Sequence, residues 1–357
     1  MTNILALQKQ IKDDNGISKQ TALSILSSEI PLLELLTLSY SLRQQHFGQT
    51  VQVHIINNAQ NGSCPEDCSY CVQAKTSTAP IDNYKLKTDE EILAEAKQAY
   101  EKGAFRYCMV SSGRGPLKKR IERLCGTIKK LKETYPMELC LSAGLLDEEM
   151  AAQLKEAGLD RLNHNLNTSE THYPKICTTH TFQDRVDTLV NAKKSGLNIC
   201  SGIIVGMEET ADDIIEVAFK LKELKAESIP VNFLMPIQGT AFETMPNLNP
   251  EYCLRVLCLF RIINPNAEIR IAAGREMHLR SMEVMALYPA NSLFLDGYLN
   301  TKGAETKRVY QMIKDAGFTI ESDQDLDTLI NTEKDTPLKS NDPFMMKSVE
   351  DLRPALH

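Results

Sequence analysis

Three closely spaced cysteines offer the clearest chemistry in this sequence. Cys64, Cys68 and Cys71 follow a CxxxCxxC spacing directly after a short apolar run at 51–57. Three thiolates on one tight loop can bind three irons of a [4Fe-4S] cube, whose usual complement is four cysteines. One iron would then stay open to the amine and carboxylate of a small molecule. A structural zinc site is the alternative, but such sites use four closed ligands, and no neighbouring residue in the sequence completes a set.

At this triplet the chain resembles the radical S-adenosylmethionine superfamily. In that superfamily the same spacing follows the first strand of a barrel, and an aromatic residue, here Tyr70, commonly precedes the last cysteine. The resemblance implies that the open iron binds S-adenosylmethionine, and that an incoming electron cleaves it to methionine and a 5'-deoxyadenosyl radical. The motif is specific for the superfamily and says little about the substrate.

Three further cysteines and one arginine lie in strand-like segments. Because side chains alternate between the two faces of a strand, Cys140 falls on the polar face of its segment, and Arg270 falls opposite two isoleucines. The same alternation places Cys108 and Cys200 on inward faces. A buried guanidinium needs an anionic partner. Two readings stay open: these residues surround a second, anionic cluster, or the cysteines are small core residues and the arginine pairs with a carboxylate.

The elements that must position these residues alternate between strand and helix. Apolar, strand-like runs occupy 51–57, 105–111, 138–143, 161–168, 198–205, 228–235, 268–273 and 292–296, with amphipathic helical segments between them. Eight βα units predict a (β/α)8 TIM barrel, whose typical size is roughly 250 residues. An open doubly wound sheet is the alternative, but it usually carries a glycine-rich phosphate loop after its first strand. Neither GxGxxG nor GxxxxGK occurs in the sequence.

The pattern divides the chain into four parts. We expect an N-terminal helical extension over 1–48, the radical S-adenosylmethionine barrel over 49–300, a C-terminal helix that packs on the barrel over 301–325, and a short, polar, flexible tail over 326–357. Catalytic residues of such a barrel lie in the loops that follow the strands. The cysteine triplet is in the first of these loops.

Composition excludes several classes of protein. The 357 residues include 42% hydrophobic and 24% charged residues, which is typical of a folded globular protein. The 40 Lys and Arg against 47 Asp and Glu give a net charge of -7, so no basic field attracts nucleic acid. A secretory signal and an uncharged apolar run of about 18 residues are both lacking, which predicts no membrane association. We expect a cytoplasmic protein, in which clustered thiols serve metal binding or catalysis.

Over roughly residues 40–320 the chain more closely resembles the biotin synthase family. The matching stretches are 64–71, 163–169, 200–202, 231–232 and 270–276. The resemblance implies a sulfurtransferase reaction, the last step of biotin biosynthesis, which inserts sulfur between two unactivated carbons of dethiobiotin. The radical removes hydrogen and a [2Fe-2S] cluster gives the sulfur. By motif its ligands are Cys108, Cys140, Cys200 and Arg270, which favours the second cluster over the core reading.

The resemblance also assigns contacts to cofactor and substrate. Asn163, Asn165 and Asn167 alternate onto one face, and their amides offer donors and acceptors to a polar ligand, although each could instead cap a strand end. By resemblance Asn165 contacts both cofactor and substrate, and Asn167 contacts the ribose, where some members carry Asp. The remaining assignments are Tyr70 beside the cofactor, Arg185 to the methionine carboxylate, Ile203 and Val205 to the adenine, and Asn232 to the ureido ring of the substrate.

Partners follow from the same resemblance. It implies a homodimer, cluster delivery by the iron–sulfur assembly machinery, and reduction by flavodoxin or ferredoxin. Lys118, Lys119 and Arg120 form a basic run that is either a solvated helix start or a docking surface for such an acidic electron donor.

Four other cysteines are expected to have no role in metal binding. Cys125 and Cys177 have no second ligand at metal spacing, and Cys253 and Cys258 are expected to fill a helix core. Two other functions stay open from the residues alone. One is a radical S-adenosylmethionine lyase, mutase or hydrogenase maturase without a sulfur-donating cluster. The other is a non-enzymatic iron–sulfur or zinc scaffold.

Overall fold

Eight parallel strand positions close into a barrel, which confirms the predicted (β/α)8 fold. The computed structural model describes residues 4–12, 16–333 and 345–356. Its strands are β1 (Thr50–Gln60), β2 (Arg106–Ser111), β3 (Glu138–Ser142), β4 (Arg161–Asn163), β5 (Asn198–Cys200), β6 (Ile203–Val205), β7 (Ser228–Phe233), β8 (Glu268–Ile271), β9 (Ser292–Phe294) and β10 (Thr319–Ile320). Each of the eight predicted segments contains a barrel strand.

The ring closes through pairing between its first and last strands. Parallel neighbours follow the order β1, β2, β3, β4, β5, β7, β8 and β9, and β9 pairs back with β1. β6 continues the position of β5 by pairing with β7. β10 pairs with the first residues of β1. Parallel closure brings all carboxyl ends of the strands to one end of the barrel, where the loops that follow them meet.

Helices precede, separate and follow the strands. They are α1 (Ile4–Lys12), α2 (Lys19–Leu26), α3 (Leu32–Phe47), α4 (Asp89–Glu101), α5 (Lys118–Thr134), α6 (Glu148–Glu156), α7 (Tyr173–Ile176), α8 (Phe182–Lys194), α9 (Ala211–Glu223), α10 (Pro250–Ile263), α11 (Arg275–Leu279), α12 (Thr306–Asp315), α13 (Leu326–Thr332) and α14 (Val349–Leu352). Thr88, Thr181 and Thr210 begin α4, α8 and α9 with capping boxes, which satisfy the free N–H groups of the first turn. Among the described residues, no helix is long and apolar enough to span a membrane.

The fifth barrel position is interrupted between β5 and β6. A Cβ atom on Gly202 would lie 1.8 Å from the carbonyl oxygen of Pro230 on β7, so only glycine permits this approach of the two backbones. The N–H of Gly202 donates to Oδ1 of Asn165 at 3.1 Å. The break in the strand therefore fixes the side chain of a predicted site residue.

The N-terminal helices cover the end of the barrel where the strands begin. Arg43 of α3 is fully buried and donates to the carbonyl oxygens of Ala290 at 2.9 Å and Thr50 at 2.7 Å. Arg255 of α10 donates to the carbonyl oxygens of Ile25 and Ile30 at 3.0 and 2.9 Å. These bonds close the lower end and leave the upper end for the functional loops.

The C-terminal segment is more structured than the flexible tail that the sequence predicts over 326–357. α13 buries Leu329 and Ile330, and Leu352 of α14 is also buried. The backbone of 345–347 pairs with residues 300–302, through Lys302 N to Met345 O and Lys347 N to Asn300 O, both at 2.8 Å. Residues 334–344 and 357 lie outside the described part of the chain, so the structure does not test the prediction for them.

Candidate active site

A cavity of about 270 Å³ opens at the carboxyl ends of the strands. Its walls combine thiols, amides and one guanidinium, which is the set that a polar, charged cofactor requires. The predicted site residues that line it are Cys64, Tyr70, Cys71, Asn165, Asn167, Arg185 and Asn232. The structure thus brings together side chains from the loop after β1, from the segment after β4, from α8 and from β7.

The cysteine triplet forms a compact loop at this cavity. The N–H of Cys71 donates to the carbonyl of Cys68 at 3.0 Å, and the N–H of Ala74 donates to the carbonyl of Cys71 at 3.1 Å. Cys64 and Cys71 line the cavity, whereas Cys68 is buried behind them. Burial raises the pKa of Cys71 to about 11. This thiol therefore keeps its proton until a metal displaces it.

The three asparagines line the cavity together, as the alternation predicts. β4 ends at Asn163, yet Asn165 and Asn167 still point to the same side. Nδ2 of Asn167 donates to the hydroxyl of Tyr70 at 2.6 Å. Asn167 has a φ of 71°, which asparagine tolerates better than most residues. This bond joins the amide series to the cysteine loop.

Arg185 is fixed by neutral acceptors and contacts no carboxylate among the residues described for its surroundings. Its Nη1 donates to the carbonyl of Asn165 at 2.8 Å, and its Nε donates to the hydroxyl of Tyr173. Nη2 lies 2.8 Å from Nε2 of His180. A guanidinium without a protein anion at the wall of a cavity is suited to a carboxylate of a ligand.

Two predicted contacts take a different form in the structure. The side chains of Ile203 and Val205 are fully buried in the core, and Ile204 between them lines the cavity. Of the segment 203–206 that is expected at the adenine, Ile204 is therefore the residue whose side chain faces the cavity, as period-two alternation requires. The amide of Asn232 already bonds Ile203 O at 3.0 Å and Ala273 N at 3.2 Å, which is the capping role weighed for such residues.

The second group of cysteines lies inside the barrel, below the cavity. Cys108 and Cys140 are register partners on β2 and β3, and Cys200 lies with them. All three are buried. Nδ2 of Asn163, which lines the cavity, is 3.3 Å from Sγ of Cys200. The inward orientation of these cysteines is therefore confirmed, and the floor of the cavity meets the cysteine group.

Arg270 completes this group and is held on two sides. Its Nη1 is 3.6 Å from Sγ of Cys200, and its Nη2 donates to Oγ of Ser228 at 2.8 Å. Its Nε and Nη2 also donate to Oε1 of Glu268, at 3.1 and 2.5 Å. The guanidinium has a fixed position beside the thiols.

The charges around the cysteines do not balance without a further anion. Arg106, Arg161 and Arg270 surround Glu138 and Glu268, with ion-pair distances of 2.5 to 2.9 Å. Burial would raise the pKa of Glu268, but Arg106 and Arg270 lower it well below its ordinary range. Both carboxylates are thus ionised against three guanidiniums. An excess of positive charge beside three thiols fits an anionic iron–sulfur cluster.

Sequence reasoning missed several residues that shape the site. Glu268 stands two positions before Arg270 and so shares its face, and alternation could have identified it. Ser228 is on the neighbouring strand β7 and could have been found only from the register of β7 with β8. Tyr298 lines the cavity from the loop after β9, for which no periodic signal exists.

The expectation that Cys177 has no second ligand at metal spacing is wrong. Its Sγ lies 3.7 Å from Sγ of Cys68, which is distant in the sequence. The thiol of Cys125 donates to the carbonyl of Gln153 at 3.4 Å. Cys253 and Cys258 are fully buried among the apolar residues of α10.

Comparison with protein families divides the chain at the seventh strand. Residues 61–221 match the radical SAM superfamily, and residues 230–319 match the biotin and thiamin synthesis associated domain. The first match contains the cysteine triplet, Cys108, Cys140 and Cys200. The second contains Asn232 and Arg270.

Two solved structures share the fold of this chain. Methylornithine synthase superposes with a TM-score of 0.77 at 19% identity, covering 90% of this chain and 99% of that one. The FeFe-hydrogenase maturase from Carboxydothermus hydrogenoformans gives a TM-score of 0.76 at 16% identity, covering 90% and 80%. At these identities the likeness concerns the fold.

Curated relatives are much closer in sequence. The biotin synthase of Acaryochloris marina is 55% identical over 86% of this chain and 89% of its own length. That of Magnetococcus marinus is 54% identical over 85% of this chain and 94% of its own length. With identity of this extent over both family domains, the chain belongs to the biotin synthase family of radical S-adenosylmethionine enzymes.

Proposed function

We propose that the protein inserts sulfur into dethiobiotin to form biotin, in a reaction that depends on S-adenosylmethionine. The observation that carries the proposal is the meeting of two thiol groups around one cavity. Cys64 and Cys71 line its mouth, and Asn163 at its floor contacts Cys200. A lyase, mutase or maturase of the same superfamily needs only the first group.

We assign the [4Fe-4S] cluster to Cys64, Cys68 and Cys71. When bound, this cluster and S-adenosylmethionine supply a hydrogen-abstracting radical, and the second cluster supplies sulfur. The chain contributes binding and orientation. Arg185 would hold the methionine carboxylate, Tyr70 and Asn167 would fix the ribose through their mutual hydrogen bond, and Ile204 would pack on the adenine.

We assign a [2Fe-2S] cluster to Cys108, Cys140, Cys200 and Arg270. The hydrogen bond from Cys140 lowers the pKa of Cys108, and Arg270 and Arg106 favour its thiolate further. The same bond raises the pKa of Cys140, and the pKa of Cys200 is raised as well, so these two thiols would lose their protons when metal binds. The excess of guanidiniums would offset the negative charge that three thiolates and bridging sulfides bring into the lumen.

The substrate would lie between these two groups, against Asn165 and Asn232. The amide of Asn232 bonds two backbone groups, so its position is fixed before any ligand enters. The side-chain oxygen of Asn165 accepts from the N–H of Gly202, and its backbone carbonyl accepts from Arg185. Rigid amides at the wall suit recognition of a ureido group, which has both donors and an acceptor.

An acidic electron donor, flavodoxin or ferredoxin, would dock near the cysteine loop. The basic run of Lys118, Lys119 and Arg120 begins α5, next to Leu117, whose side chain is 81% exposed. Arg114, three residues earlier, contacts Glu66 of the cysteine loop at 3.5 Å. An exposed apolar residue within a basic patch, close to the cluster ligands, suits a transient electron-transfer partner.

Further assignments rest on membership in the family. We propose that the protein is a homodimer and receives its clusters from the iron–sulfur assembly machinery. Its reaction requires free thiols, so we assign it to the reducing cytoplasm. The division into an extension over 1–48, a barrel over 49–300 and a C-terminal part over 301–325 also stays a proposal.

An anaerobic assay on the reconstituted protein tests the function. Dethiobiotin, S-adenosylmethionine and a reductant are supplied, and 5'-deoxyadenosine and biotin are measured together with iron and zinc. We expect both products and about six irons per chain, four and two from the clusters. About four irons with 5'-deoxyadenosine and no biotin would identify another enzyme of the superfamily. Zinc alone would identify a scaffold.

A further inference from the structure

The thiol of Cys177, which the proposed reaction does not use, lies in a buried group of potential metal ligands. Its Sγ is 3.7 Å from Sγ of Cys68 and 3.3 Å from Nδ1 of His180. One ligand atom from each of these three residues lies within 4.8 Å of the others, and all three side chains are buried. The two segments involved come from the loop after β1 and from the end of α7.

These distances agree with a tetrahedral zinc site. Zinc binds thiolate sulfur at about 2.3 Å and imidazole nitrogen at about 2.0–2.1 Å. Tetrahedral angles then give a sulfur–sulfur separation of about 3.8 Å and a sulfur–nitrogen separation of about 3.5 Å. The observed 3.7 and 3.3 Å are close to both values.

The approach of Cys177 to Cys68 is imposed by hydrogen bonds between the two loops. Oδ1 of Asp67 accepts from the N–H groups of Thr178 and Thr179 at 2.9 and 3.2 Å. The N–H of Ser69 donates to the carbonyl of Ile176 at 2.9 Å. The residues on both sides of each cysteine are thus fixed, and a preorganised pair of ligands results.

Water would complete the four ligands, because among the described residues only Cys68, Cys177 and His180 bring ligand atoms this close together. In the metal-free chain Nδ1 of His180 donates to Oε2 of Glu66 at 2.5 Å, and Nε2 accepts from Nη2 of Arg185 at 2.8 Å. With zinc on Nδ1 the ring proton would move to Nε2, where the hydroxyl of Tyr173 at 2.9 Å can accept it in place of the bond from Arg185. Such an outer partner is the rule for a histidine that binds metal.

We propose that the cluster-free chain binds one zinc ion through Cys68, Cys177 and His180, with water as the fourth ligand. The two thiols release their protons to solvent when zinc binds, the imidazole proton moves from Nδ1 to Nε2, and no oxidant or reductant is needed. Cys68 is shared with the triplet assigned to the [4Fe-4S] cluster, so the two metal centres exclude each other. Zinc at this site would protect Cys68 and would have to leave before that cluster is assembled.

Cobalt binding to the cluster-free, full-length protein tests the proposal. Co²⁺ replaces Zn²⁺, and its intense visible absorption in tetrahedral thiolate sites distinguishes such a site from hydrated Co²⁺. We expect about one tetrahedral Co²⁺ per chain, displaced by Zn²⁺. Cys177→Ala should remove this spectrum, while Cys64→Ala and Cys71→Ala should retain it. Cys125→Ala, in a half-buried thiol elsewhere, is the matched control and should change nothing.

Assembly of the [4Fe-4S] cluster should respond to the same substitutions in the opposite way. This response separates the zinc proposal from the proposed function. Cys177→Ala should still assemble the [4Fe-4S] cluster, whereas Cys64→Ala and Cys71→Ala should not. Zinc-loaded wild-type protein should assemble it more slowly than metal-free protein, and zinc-treated Cys177→Ala should not. His180→Gln should lower the affinity for Co²⁺ by more than the roughly 10–100-fold that loss of an outer hydrogen-bond partner costs.

Two results would overturn the zinc site. One is an octahedral Co²⁺ spectrum in the wild-type protein. The other is a tetrahedral spectrum that survives in Cys177→Ser, with native circular dichroism, but is lost in Cys64→Ala and Cys71→Ala, because the metal would then lie on the triplet itself. Failure to form any iron–sulfur cluster would contradict the proposed function and leave the cobalt result standing.

Discussion

Nη1 of Arg270 lies 3.6 Å from Sγ of Cys200, and Glu268 holds the same guanidinium from the other side. A thiol and a carboxylate thus compete for one buried cation. The arginine cannot move toward the cysteines without stretching its bonds to Glu268. The position of this cation beside the second group of cysteines therefore depends on a residue that binds no iron.

Glu268→Gln should destabilise the cluster-free protein. The change leaves Arg106 and Arg270 without their shared buried anion, which costs about 3–5 kcal/mol when one partner of a buried pair is removed. Urea unfolding measures the loss. Glu149→Gln is the control, because Glu149 forms an exposed pair with Lys118, and it should change the free energy of unfolding by less than about 0.5 kcal/mol. Equal effects in both variants would contradict the account.

The same carboxylate should make stability depend on pH. The pKa of Glu268 in the folded protein is well below its ordinary value of 4.5. The ionised Glu268 therefore contributes its full share to the free energy of unfolding above pH 4.5. This share is lost as the pH falls below 4.5 toward the pKa of the folded protein. The difference in unfolding free energy between wild type and Glu268→Gln should shrink by up to about 1.4 kcal/mol per pH unit in that range. A difference that stays constant from about pH 7 to about pH 3 would show that folding does not lower the pKa of Glu268.

The alternation of side chains predicted that the second group of cysteines and Arg270 point into the barrel, because a strand has only two faces. Cys140 and Arg270 could be assigned to the lumen from their immediate neighbours alone. The same rule turns Ile203 and Val205 into the core and leaves Ile204 to face the cavity. The resemblance identifies this segment but does not say which of its side chains points to the cavity.

Other features depend on contacts between distant segments. The approach of Cys177 to Cys68 arises from bonds between two loops, and the CxxH spacing of Cys177 and His180 is a local signal that does not identify Cys68 as their partner. The interruption at Gly202 depends on the position of Pro230 on β7. Polar composition suggested a flexible tail, but buried residues such as Leu352 hold part of it against the barrel.

Gly202→Ala should disturb the site through the backbone. The added Cβ would lie 1.8 Å from the carbonyl oxygen of Pro230, so β6 must shift, at a cost of about 1–3 kcal/mol or more. Because Gly202 also bonds Asn165, affinity for S-adenosylmethionine should fall as well. Gly126→Ala, inside α5 with open space around it, should instead stabilise the protein by about 0.5–1 kcal/mol. Gain of stability in both variants would contradict the close approach.

Charge reversal of the basic run tests the docking surface. Replacing Lys118, Lys119 and Arg120 by Glu should slow reduction by flavodoxin at low salt by at least about tenfold, since electrostatic steering is lost. Reduction by dithionite, which needs no docking, should not change. Lys97→Glu on α4 is the control for a single exposed charge. Stopped-flow rates that match wild type with both reductants would place the docking site elsewhere.

Arg270→Ala should be milder than loss of a cysteine. Three thiolates can still hold the second cluster, and we expect iron near six per chain with a reduced rate of biotin formation. Iron analysis and Mössbauer spectroscopy measure the iron content and the cluster types. A product assay measures the rate of biotin formation. Loss of two irons per chain would show that the arginine is indispensable for assembly.

The sulfur-donor role of the inner cysteines is tested most directly by one product measurement on Cys140→Ala under single turnover. The account predicts that this variant, supplied with dethiobiotin, S-adenosylmethionine and reductant, still forms 5'-deoxyadenosine but yields no biotin, whereas Cys64→Ala yields neither. A biotin yield equal to that of the wild type in Cys140→Ala would contradict it.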